Sequence, residues 1–478
     1  MDSFARVVDT CALSLSRYEM AAAEGPVMVA LSGGVDSTVL LLALVRLHTE
    51  GRLSGPLVAA HVDHSVRPDS RENAQHVVEM CDRLDVPLTV RRLQFDEEHP
   101  SEDSMRDKRY AALSEAAKQF GSTLLATGHH ADDNLETVLF RMLRGTGPRG
   151  LAGIPESRWL DRSERKLMLV RPLLRTRRKM IENLLEQSGE SAFHDSSNDD
   201  MRFARNTLRH ETMPALRETM GIGLDVALIT VSTTARAANN LIEAQGLRIL
   251  SHCARLKNNW RLEIDTREID EDSLPFLREA LRQGHVNMHP RGWAPSTAWL
   301  DRCMNLLEMD DGKRVAGRSG LMIERTRNGL LLVDTDRAVR PPSGQDSSQH
   351  LQCDGSLQRF GATEWSMEVH EHPLPPLQPS PAEAGPFRAL IDRKSCSGQL
   401  RLRTRQVGDR FQPLGSRQPL DLRRFLQSRH LPRFDRDRLP LLVDQDDRIL
   451  WIPGVEISEL ARLRLNTRQC FELITTCS

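Results

Sequence analysis

The sequence lacks the features that would assign it to several broad classes of protein. Its 478 residues include 65 Lys and Arg against 66 Asp and Glu, so the net charge of −1 gives no sign of a nucleic-acid partner, and any basic surface must be local. No apolar run approaches the length of a membrane span. The N-terminal stretch has no basic segment leading into an apolar one, which predicts a helix of the mature protein and not a signal peptide.

The cysteines also form no recognisable site. They lie far apart and include no CxxC pair or mixed Cys/His cluster, which argues against a zinc site, an iron–sulfur site and a disulfide scaffold. Dispersed thiols fit a reducing compartment, and we therefore expect a cytoplasmic protein. The eight positions are Cys11, Cys81, Cys253, Cys303, Cys353, Cys396, Cys470 and Cys477.

Four short apolar segments in the first third of the chain alternate with helical patterns. Such alternation predicts an α/β fold with a doubly wound, Rossmann-like parallel sheet, in which ligands bind beyond the carboxyl ends of the strands. Polar residues follow each segment, so we expect the functional site there. The segments are residues 26–31, 57–62, 88–93 and 123–128.

The length and the changes of pattern predict three domains and a linker. Residues 1–217 form the α/β domain. Residues 218–338 are expected to be a helical middle domain that ends in a hairpin, with Asn328-Gly329 at the turn. Residues 339–387 have the Pro/Ser-rich composition of a linker around a short strand pair, and residues 388–478 are expected to form a small α+β domain.

The stretch "SGGVDS", residues 32–37, lies between an apolar strand and an apolar helix. Backbone amides at a helix N-terminus hold phosphates, and glycine lets the chain approach an anion closely. The stretch lacks the lysine of a P-loop. "GTGPRG", residues 145–150, satisfies the dinucleotide fingerprint, but it follows a helix and contains proline, so we set it aside. Taken alone, "SGGVDS" can equally be a tight turn in which Ser32 or Asp36 caps the helix.

Together with its strand, this loop resembles the pyrophosphate loop of the N-type ATP pyrophosphatases, the PP-loop superfamily, which split ATP into AMP and pyrophosphate. The resemblance implies that Asp36 holds Mg²⁺ on the phosphates. It also implies that adenine lies near His61, Val62 and Asp63, with His64 and Arg67 as neighbouring candidates. A satisfied, half-buried histidine is an equal alternative for His61. The loop residues that it assigns to the pyrophosphate are Ser32, Gly33, Gly34, Ser37 and Thr38.

Longer segments resemble, in order, the motifs of the tRNA(Ile)-lysidine synthetases. They include "HVDHSVRPDSRENA", "MRDKRYAAL", "TGHHADDNLETVLF", "RTRQVGDRFQPLG" and "LPRFDRDRLPLLV". The tRNA thiolases that share the loop usually bring a catalytic cysteine pair, which is missing here. The family implies a ligase that attaches free L-lysine to C2 of the wobble cytidine in tRNA(Ile) with a CAU anticodon. An adenylated cytidine is the intermediate, AMP and pyrophosphate are released, and decoding changes from methionine to isoleucine.

This resemblance also implies the partners: tRNA(Ile), free L-lysine and ATP, no membrane, and an allowed homodimer. It assigns binding of substrate or tRNA to residues 218–338 and binding of tRNA to residues 388–478. Leu420 and Asp421 stand where many relatives carry a basic pair. Either Arg423 and Arg424 take over that tRNA contact from shifted positions, or the contact is weaker in this chain.

The reaction needs carboxylates beside the lysine amine. A free lysine amine has a pKa near 10.4, so presenting it unprotonated at pH 7 costs roughly 4 to 5 kcal/mol. Asp133 and Glu136, three residues apart on a predicted helix, can bind the cation and help to remove its proton. By the resemblance Asp133 is the key acid. Helix capping by Asp132 or Asp133 is the alternative, and we favour it for Asp132.

Basic residues complete the predicted site. By the resemblance Arg205, supported by Asn206, contacts phosphate or lysine; the alternative for Arg205 and Arg209 is a solvated basic face. Arg106 is expected to face ATP or the anticodon stem, while Tyr110 packs. The predicted ATP site also includes Gly128 and His129.

Three interpretations of function remain open at this point. The first is the lysine–tRNA ligase, the second another PP-loop tRNA-modifying enzyme such as a thiolase, and the third a non-catalytic nucleotide- or RNA-binding protein. A metal hydrolase built on His129 and His130 is disfavoured, because supporting ligands are missing. The joint presence of four residues, Asp36, Asp133, Glu136 and Arg205, disfavours the non-catalytic alternative.

Overall fold

The structure is a computed structural model. Within it the chain divides into two compact units, Met1–Ala244 with Pro290–Gly292, and Gln245–His289 with Trp293–Ser478. No described helix is both long enough and apolar enough to cross a membrane. The structure describes residues 3–18, 25–53, 55–63, 70–93, 102–160, 167–193, 204–258, 260–288, 295–338, 348–361, 363–373 and 387–477.

The first unit is built on one six-stranded sheet. Its strands are β1 (Val27–Ala30), β2 (Leu57–Asp63), β3 (Leu88–Arg92), β4 (Leu124–Ala126), β5 (Ser157–Trp159) and β6 (Met168–Val170). The order is β3-β2-β1-β4-β6-β5, and every pairing is parallel except that of β5 with β6. All four strands predicted from the apolar segments are confirmed, as is the parallel sheet.

Helices cover both faces of this sheet. The described α-helices of the first unit, apart from the start of α10 (Gly223–Cys253), are α1 (Ser3–Ser16), α2 (Val35–Thr49), α3 (Ser70–Arg83), α4 (Glu102–Phe120), α5 (Ala131–Leu143), α6 (Pro148–Leu151), α7 (Arg178–Ser188), α8 (Ala204–Thr207) and α9 (Met213–Met220). Val27 and Val29 of β1 pack in the core cluster that contains α1, α2 and α7 residues, while Met28 packs in the cluster on α4. A strand buried on both faces has to be apolar throughout, which explains the continuous apolar segments.

The order in which strands are added to the sheet reverses at β1. Strands β2 and β3 lie on one side of β1, and β4 lies on the other. At such a switch point the loops after the two diverging strands separate and leave a crevice at the carboxyl edge of the sheet. The segments that enter this crevice are the loop between β1 and α2 and the loop between β4 and α5.

The second unit contains a five-stranded antiparallel sheet in addition to helices. Its strands are β7 (Ala254–Asn258), β8 (Arg261–Asp265), β9 (Arg314–Ala316), β10 (Leu321–Thr326) and β11 (Gly329–Asp334), in the order β7-β8-β11-β10-β9. The helices are α10 (Gly223–Cys253), which begins in the first unit, α11 (Leu277–Met288) and α12 (Thr297–Asn305). The predicted hairpin is confirmed, but Thr326 pairs with Gly329, so the turn residues are Arg327 and Asn328.

The C-terminal part is the small α+β structure that was predicted. Its strands are β12 (Gln349–His350), β13 (Gln358–Arg359), β14 (Trp365–Pro373), β15 (Arg388–Asp392), β16 (Arg401–Arg403), β17 (Arg410–Phe411), β18 (Leu420–Asp421), β19 (Leu441–Val443), β20 (Ile449–Ile452), β21 (Glu456–Ile457) and β22 (Gln469–Cys477). They form the sheets β12-β16-β19-β20-β21, β13-β14-β22-β15 and β17-β18. Two short helices, α13 (Leu422–Ser428) and α14 (Arg433–Arg436), accompany them.

Two predicted domain boundaries need correction. Residues 218–244 belong to the first unit, because Leu224 and Leu228 of α10 pack with Leu135 and Val138 of α5. The segment 339–387 is not a linker throughout, because all nine residues of β14 pair with β22 in the C-terminal sheet. Its Pro/Ser-rich stretches, 339–347 and 374–386, lie outside the described residues.

Candidate active site

The two glycines of the first loop have different structural roles. Gly33 has a φ of +86°, and a Cβ at this position would lie 2.2 Å from Oδ1 of Asn73 on α3, so the fold itself requires glycine there. Gly34 is the N-cap of α2, has a φ of −75° and would bring a Cβ only to 3.6 Å from Oγ of Ser32. No described atom excludes a side chain at residue 34, so the bare backbone there leaves space for a ligand.

Hydroxyl groups hold the loop in shape. Oγ of Ser37 accepts a hydrogen bond from the Ser32 amide at 3.1 Å and donates to the Gly34 carbonyl at 3.0 Å. Oγ1 of Thr38 donates to the Gly33 carbonyl at 3.4 Å. No side chain caps α2, so the capping alternative does not describe this loop. The backbone amides of the first turn of α2, which have no acceptor within the helix, are left for an anion.

The loop after β4 lies directly against the start of α2. A Cβ at Gly128 would lie 3.0 Å from the carbonyl carbon of Asp36 and from the amide of Ser37, so glycine permits this close approach. As a result Nε2 of His130 lies 3.6 Å from Oδ1 of Asp36. Burial raises the pKa of Asp36, although His130 opposes the shift.

Asp36 fits the predicted magnesium ligand. Its Oδ1 is buried and has no hydrogen-bond partner within the described ranges. Mg²⁺ in nucleotide sites commonly takes one or two protein carboxylates and completes its shell with water and substrate phosphates, so a single unpartnered carboxylate beside a phosphate loop suits it. Among the described residues, no group of three or more His, Cys, Asp or Glu side chains could by itself hold a metal ion.

His130, which the prediction omitted from the ATP site, links the two loops. It is the N-cap of α5: its Nδ1 accepts a hydrogen bond from the Asp133 amide at 3.2 Å, and its own amide donates to Oδ2 of Asp133 at 3.0 Å. In the neutral ring the proton is therefore on Nε2, which faces Asp36. The sequence signal for this capping box is an acidic residue three positions after the N-cap, here Asp133 after His130.

His129 points to a different partner. Its Nδ1 lies 3.0 Å from Oγ1 of Thr127. Burial, assisted by the positive charge of Arg171, lowers the pKa of His129 to about 3. His129 is therefore neutral at physiological pH and can act only as a neutral hydrogen-bonding group in the predicted ATP site.

Asp133 and Glu136 are brought together as predicted, and one arginine binds both. Nε of Arg209 donates to the two carboxylate oxygens of Glu136 at 2.9 and 3.0 Å. Its Nη2 donates to Oε2 of Glu136 at 2.7 Å and to Oδ1 of Asp133 at 2.6 Å. Both acids are buried, with 9% and 6% of their surface exposed. Burial by itself would raise the pKa of Asp133, but His130 and Arg209 outweigh it and the pKa is lowered.

Of the two arginines Arg205 and Arg209, only Arg209 contacts the acids among the described residues, whereas Arg205 was predicted to contact phosphate or lysine. Arg205 reaches Oγ1 of Thr137 at 3.4 Å and pairs with no carboxylate among the described residues. A π-helical turn, Leu208–Thr212, separates α8 from α9 and changes the angular phase of the side chains along this segment. A sequence read with the 3.6-residue period of an α-helix carries no sign of this turn. A catalytic role for Arg205 remains a prediction.

Asp132 caps a helix, the role that we favoured for it, but the helix is α7 and not α5. Its Oδ2 accepts a hydrogen bond from the amide of Arg178, the first residue of α7, at 2.9 Å. Its Oδ1 lies 3.0 Å from Nη2 of Arg177 and 2.9 Å from Nη2 of Arg217. Asp132 therefore ties the start of α5 to α7 and α9.

Four guanidinium groups surround Tyr110 on α4. The guanidinium carbons of Arg158, Arg106 and Arg109 lie 4.6, 5.2 and 5.4 Å from the centre of its ring. Burial would raise the pKa of Tyr110, but these arginines and Arg171 lower it. No carboxylate in the described part of the chain forms an ion pair with any of the four. The predicted packing residue is thus the centre of an uncompensated positive cluster that includes Arg106.

The side chains predicted to contact adenine have partners inside the protein. Nδ1 of His61 lies 2.8 Å from the Leu31 carbonyl, and burial lowers the pKa of His61, as the satisfied-histidine alternative requires. The Asp63 carboxylate accepts a hydrogen bond from Nε of Arg92 at 3.0 Å. Val62 is half-buried. Adenine contact at these residues remains a prediction, and the neighbouring candidates His64 and Arg67 lie outside the described residues.

Comparison with known proteins gives two family matches along the chain. Residues 10–216 match the PP-loop domain, and residues 400–470 match the TilS substrate C-terminal domain. The chain is 33% identical to the tRNA(Ile)-lysidine synthase of Pseudomonas fluorescens, over 92% of this chain and 92% of that protein. It is 30% identical to the enzyme of the same name from Symbiobacterium thermophilum, over 90% and 89% of the two chains.

Solved structures give weaker likenesses. The crystal structure of a TilS C-terminal domain shares 25% identity with this chain at a TM-score of 0.24, covering 27% of this chain and 97% of that domain. The U34-tRNA thiolase NcsA of Methanococcus maripaludis, described with its [4Fe-4S] cluster, shares 15% identity at a TM-score of 0.41, covering 49% and 79%.

Proposed function

Because this chain belongs to the tRNA(Ile)-lysidine synthases, ligases that use ATP to form lysidine in tRNA, we propose that it joins free L-lysine to C2 of the wobble cytidine in tRNA(Ile) with a CAU anticodon. The observation that carries the proposal is the crevice beside β1. The phosphate loop after β1 and the acids at the start of α5 meet there, with Asp36 and His130 in contact between them.

In the proposed first step the C2 oxygen of cytidine attacks the α-phosphorus of ATP, and pyrophosphate leaves with the electron pair of the broken P–O bond. Gly34 and the amides of α2 hold the departing pyrophosphate. Asp36 would hold Mg²⁺, which supplies charge neutralisation on the phosphates. The cluster around Tyr110 adds positive charge that no described carboxylate cancels.

In the proposed second step the lysine amine attacks C2 of the adenylated cytidine, and AMP leaves. Asp133, whose pKa is lowered, is anionic at neutral pH and therefore binds the amine as its cation. The same carboxylate accepts the proton that the amine must lose. Arg209 lies between Asp133 and Glu136, so both signs of charge are available within one site. This array complements an amino acid, with its ammonium group on the acids and its carboxylate on Arg209.

The described cysteines support the ligase over a thiolase. Cys11 and Cys81, the described cysteines of the first unit, are both buried in its core, and burial raises the pKa of each thiol to about 12 and about 11. Neither is available as a nucleophile in the crevice. From the family we further propose a cytoplasmic location, a homodimer, and tRNA contacts in the middle and C-terminal segments.

The test is release of pyrophosphate from ATP by the full chain with tRNA(Ile), measured with and without free lysine, together with incorporation of labelled lysine into the tRNA. We expect both products and a strict requirement for tRNA. Incorporation that fails while ATP is still cleaved would reject lysine as the nucleophile. Absence of both reactions would favour a protein that only binds nucleotide or RNA.

A further inference from the structure

A second concave site lies entirely within the second unit. It has a volume of about 510 Å³, within the range of roughly 300–1,000 Å³ that small-ligand pockets span. Its wall is formed by the turn before β9, the loop before β17, and the starts of α13 and α14. We call it the arginine pocket, after the side chains of Arg423, Arg433 and Arg436 that line it.

Two of the charged groups in the pocket wall are already neutralised within the protein. Arg405 pairs with Asp437, which its Nε reaches at 2.9 Å. Asp409 accepts two hydrogen bonds of 2.9 Å from Arg403, a side chain that is almost completely buried. The net charge of the pocket is therefore set by the other charged residues that line it.

Three guanidinium groups in the pocket form no ion pair with any carboxylate that the structure describes. Arg423 and Arg433 have neither an ion pair nor a side-chain hydrogen bond among the described residues. Arg436 donates to the carbonyl of Leu431 at 2.7 Å. Two further aspartates also line the pocket. Asp311 lies 3.8 Å from Nδ1 of His430, and one oxygen of Asp421 caps α13 by accepting a hydrogen bond from the Arg424 amide at 2.9 Å. Three arginines therefore stand against these two aspartates. The pocket therefore has an excess of positive charge.

The backbone that carries Arg433 and Arg436 is firmly anchored. Glu324 of β10, with no exposed surface, accepts hydrogen bonds from the Arg433 amide and, at 3.1 Å, from the Phe434 amide. The ring of Phe434 lies 6.0 Å from that of Trp260, and Nη2 of Arg261 donates to Asp435 at 2.9 Å. Anchored donors need little reordering when a ligand binds, which preserves affinity.

We propose that the arginine pocket binds a phosphate group of the tRNA. Guanidinium groups match phosphate oxygens in both charge and geometry, and two of the three here, those of Arg423 and Arg433, have no partner among the described residues. Burial and the neighbouring cation Arg405 lower the pKa of Arg436 although Glu324 and Asp437 oppose the shift, and a bound anion would oppose it further. The identity of the RNA rests on the proposed function, whereas the preference for phosphate rests on the pocket itself.

The structure also distinguishes the two arginines that replace the basic pair of many relatives. Arg423 lines the pocket, while the adjacent Arg424, equally exposed, does not. Arg424 therefore provides a matched control for charge, exposure and position in the chain.

The test measures binding of tRNA(Ile) to the full chain over a range of salt concentrations for Arg423→Ala, Arg433→Ala and Arg424→Ala. We expect each pocket variant to bind roughly tenfold or more weakly and to reduce the slope of log affinity against log salt by about 1. Arg424→Ala should behave like the unsubstituted chain. Because the structure describes no partner for either pocket side chain, both variants should fold, which a thermal unfolding midpoint checks.

The source of the phosphate is distinguished by repeating the measurement with tRNA that lacks its 5′-phosphate. If the pocket holds that terminal phosphate, Arg433→Ala will no longer weaken binding of the dephosphorylated RNA. If it holds a backbone phosphate, Arg433→Ala will weaken both RNAs equally. Unchanged affinity and slope in both pocket variants would overturn the inference. Lysine incorporation by the same preparations tests the proposed function separately, so a failure of one is not mistaken for failure of the other.

Discussion

Replacing Arg209 tests the central geometry of the candidate site. In Arg209→Ala, the buried carboxylates of Asp133 and Glu136 both lose their shared cation. Removing one partner of a buried ion pair costs about 3 to 5 kcal/mol, because the remaining charge is left uncompensated. Since 21% of the Arg209 side chain is exposed, we expect the lower end of that range, about 3 kcal/mol. Lysine incorporation should be lost as well.

The matched control is Arg205→Ala, four residues earlier, where the only side-chain hydrogen bond to a described residue is a long one to Thr137. That variant should change the free energy of unfolding by less than about 1 kcal/mol. Arg209→Lys keeps the charge but loses the two-pronged contact, so its stability should fall between the two. Urea unfolding at pH 7, monitored by a signal from the first unit, measures the free energy of unfolding of all three variants.

A double variant makes this prediction sharper. Adding Glu136→Gln to Arg209→Ala removes one of the two uncompensated charges, so the pair should be less destabilised than the sum of the single changes. Equal unfolding free energies for Arg209→Ala and Arg205→Ala would refute the assignment of Arg209 to the acids. So would strict additivity of Arg209→Ala and Glu136→Gln.

Three further predictions follow from the same contacts. Gly33→Ala should destabilise the fold by at least about 1 to 2 kcal/mol, because residue 33 has a left-handed backbone and its Cβ would contact Asn73. Gly34→Ala should cost less than about 1 kcal/mol of stability and instead weaken ATP binding. A Gly34→Ala variant with normal ATP affinity would remove that backbone from the phosphate site. Asp133→Asn should abolish lysine incorporation while the circular dichroism spectrum stays unchanged, and normal turnover would exclude Asp133 from the mechanism. The pKa of His129 is about 3 in the folded chain and 6.5 in the reference state, so the unfolded chain binds the extra proton first. The free energy of unfolding should therefore fall as the pH drops from 6.5 towards 3, by roughly 1.4 kcal/mol per pH unit. His129→Gln should flatten this fall in urea unfolding measured between pH 7 and 4, and an identical slope in both proteins would contradict a neutral His129 ring.

Local pattern was sufficient for the sheet and for much of the candidate site. Apolar segments buried on both faces predicted β1 to β4, and the polar residues after β1 and β4 were correctly expected at one edge. Asp36, Asp133 and Glu136 were identified as residues and are brought close together. The linker between 339 and 387 was mispredicted because β14 is stabilised by pairing with β22, about a hundred residues later, and composition alone does not report such a distant partner.

The sequence by itself determined the fold class, the family and the acids, because strand periodicity, the glycine loop and short ordered motifs are properties of neighbouring residues. Only the tertiary structure decided which arginine meets those acids, since a π-helical turn shifts the phase between Arg205 and Arg209. It alone showed that His130 faces Asp36, that Tyr110 lies among four arginines, and that Arg423 shares a pocket with Arg433. Each of these contacts joins elements distant along the chain or depends on a local departure from ideal geometry, and neither is encoded in residue spacing.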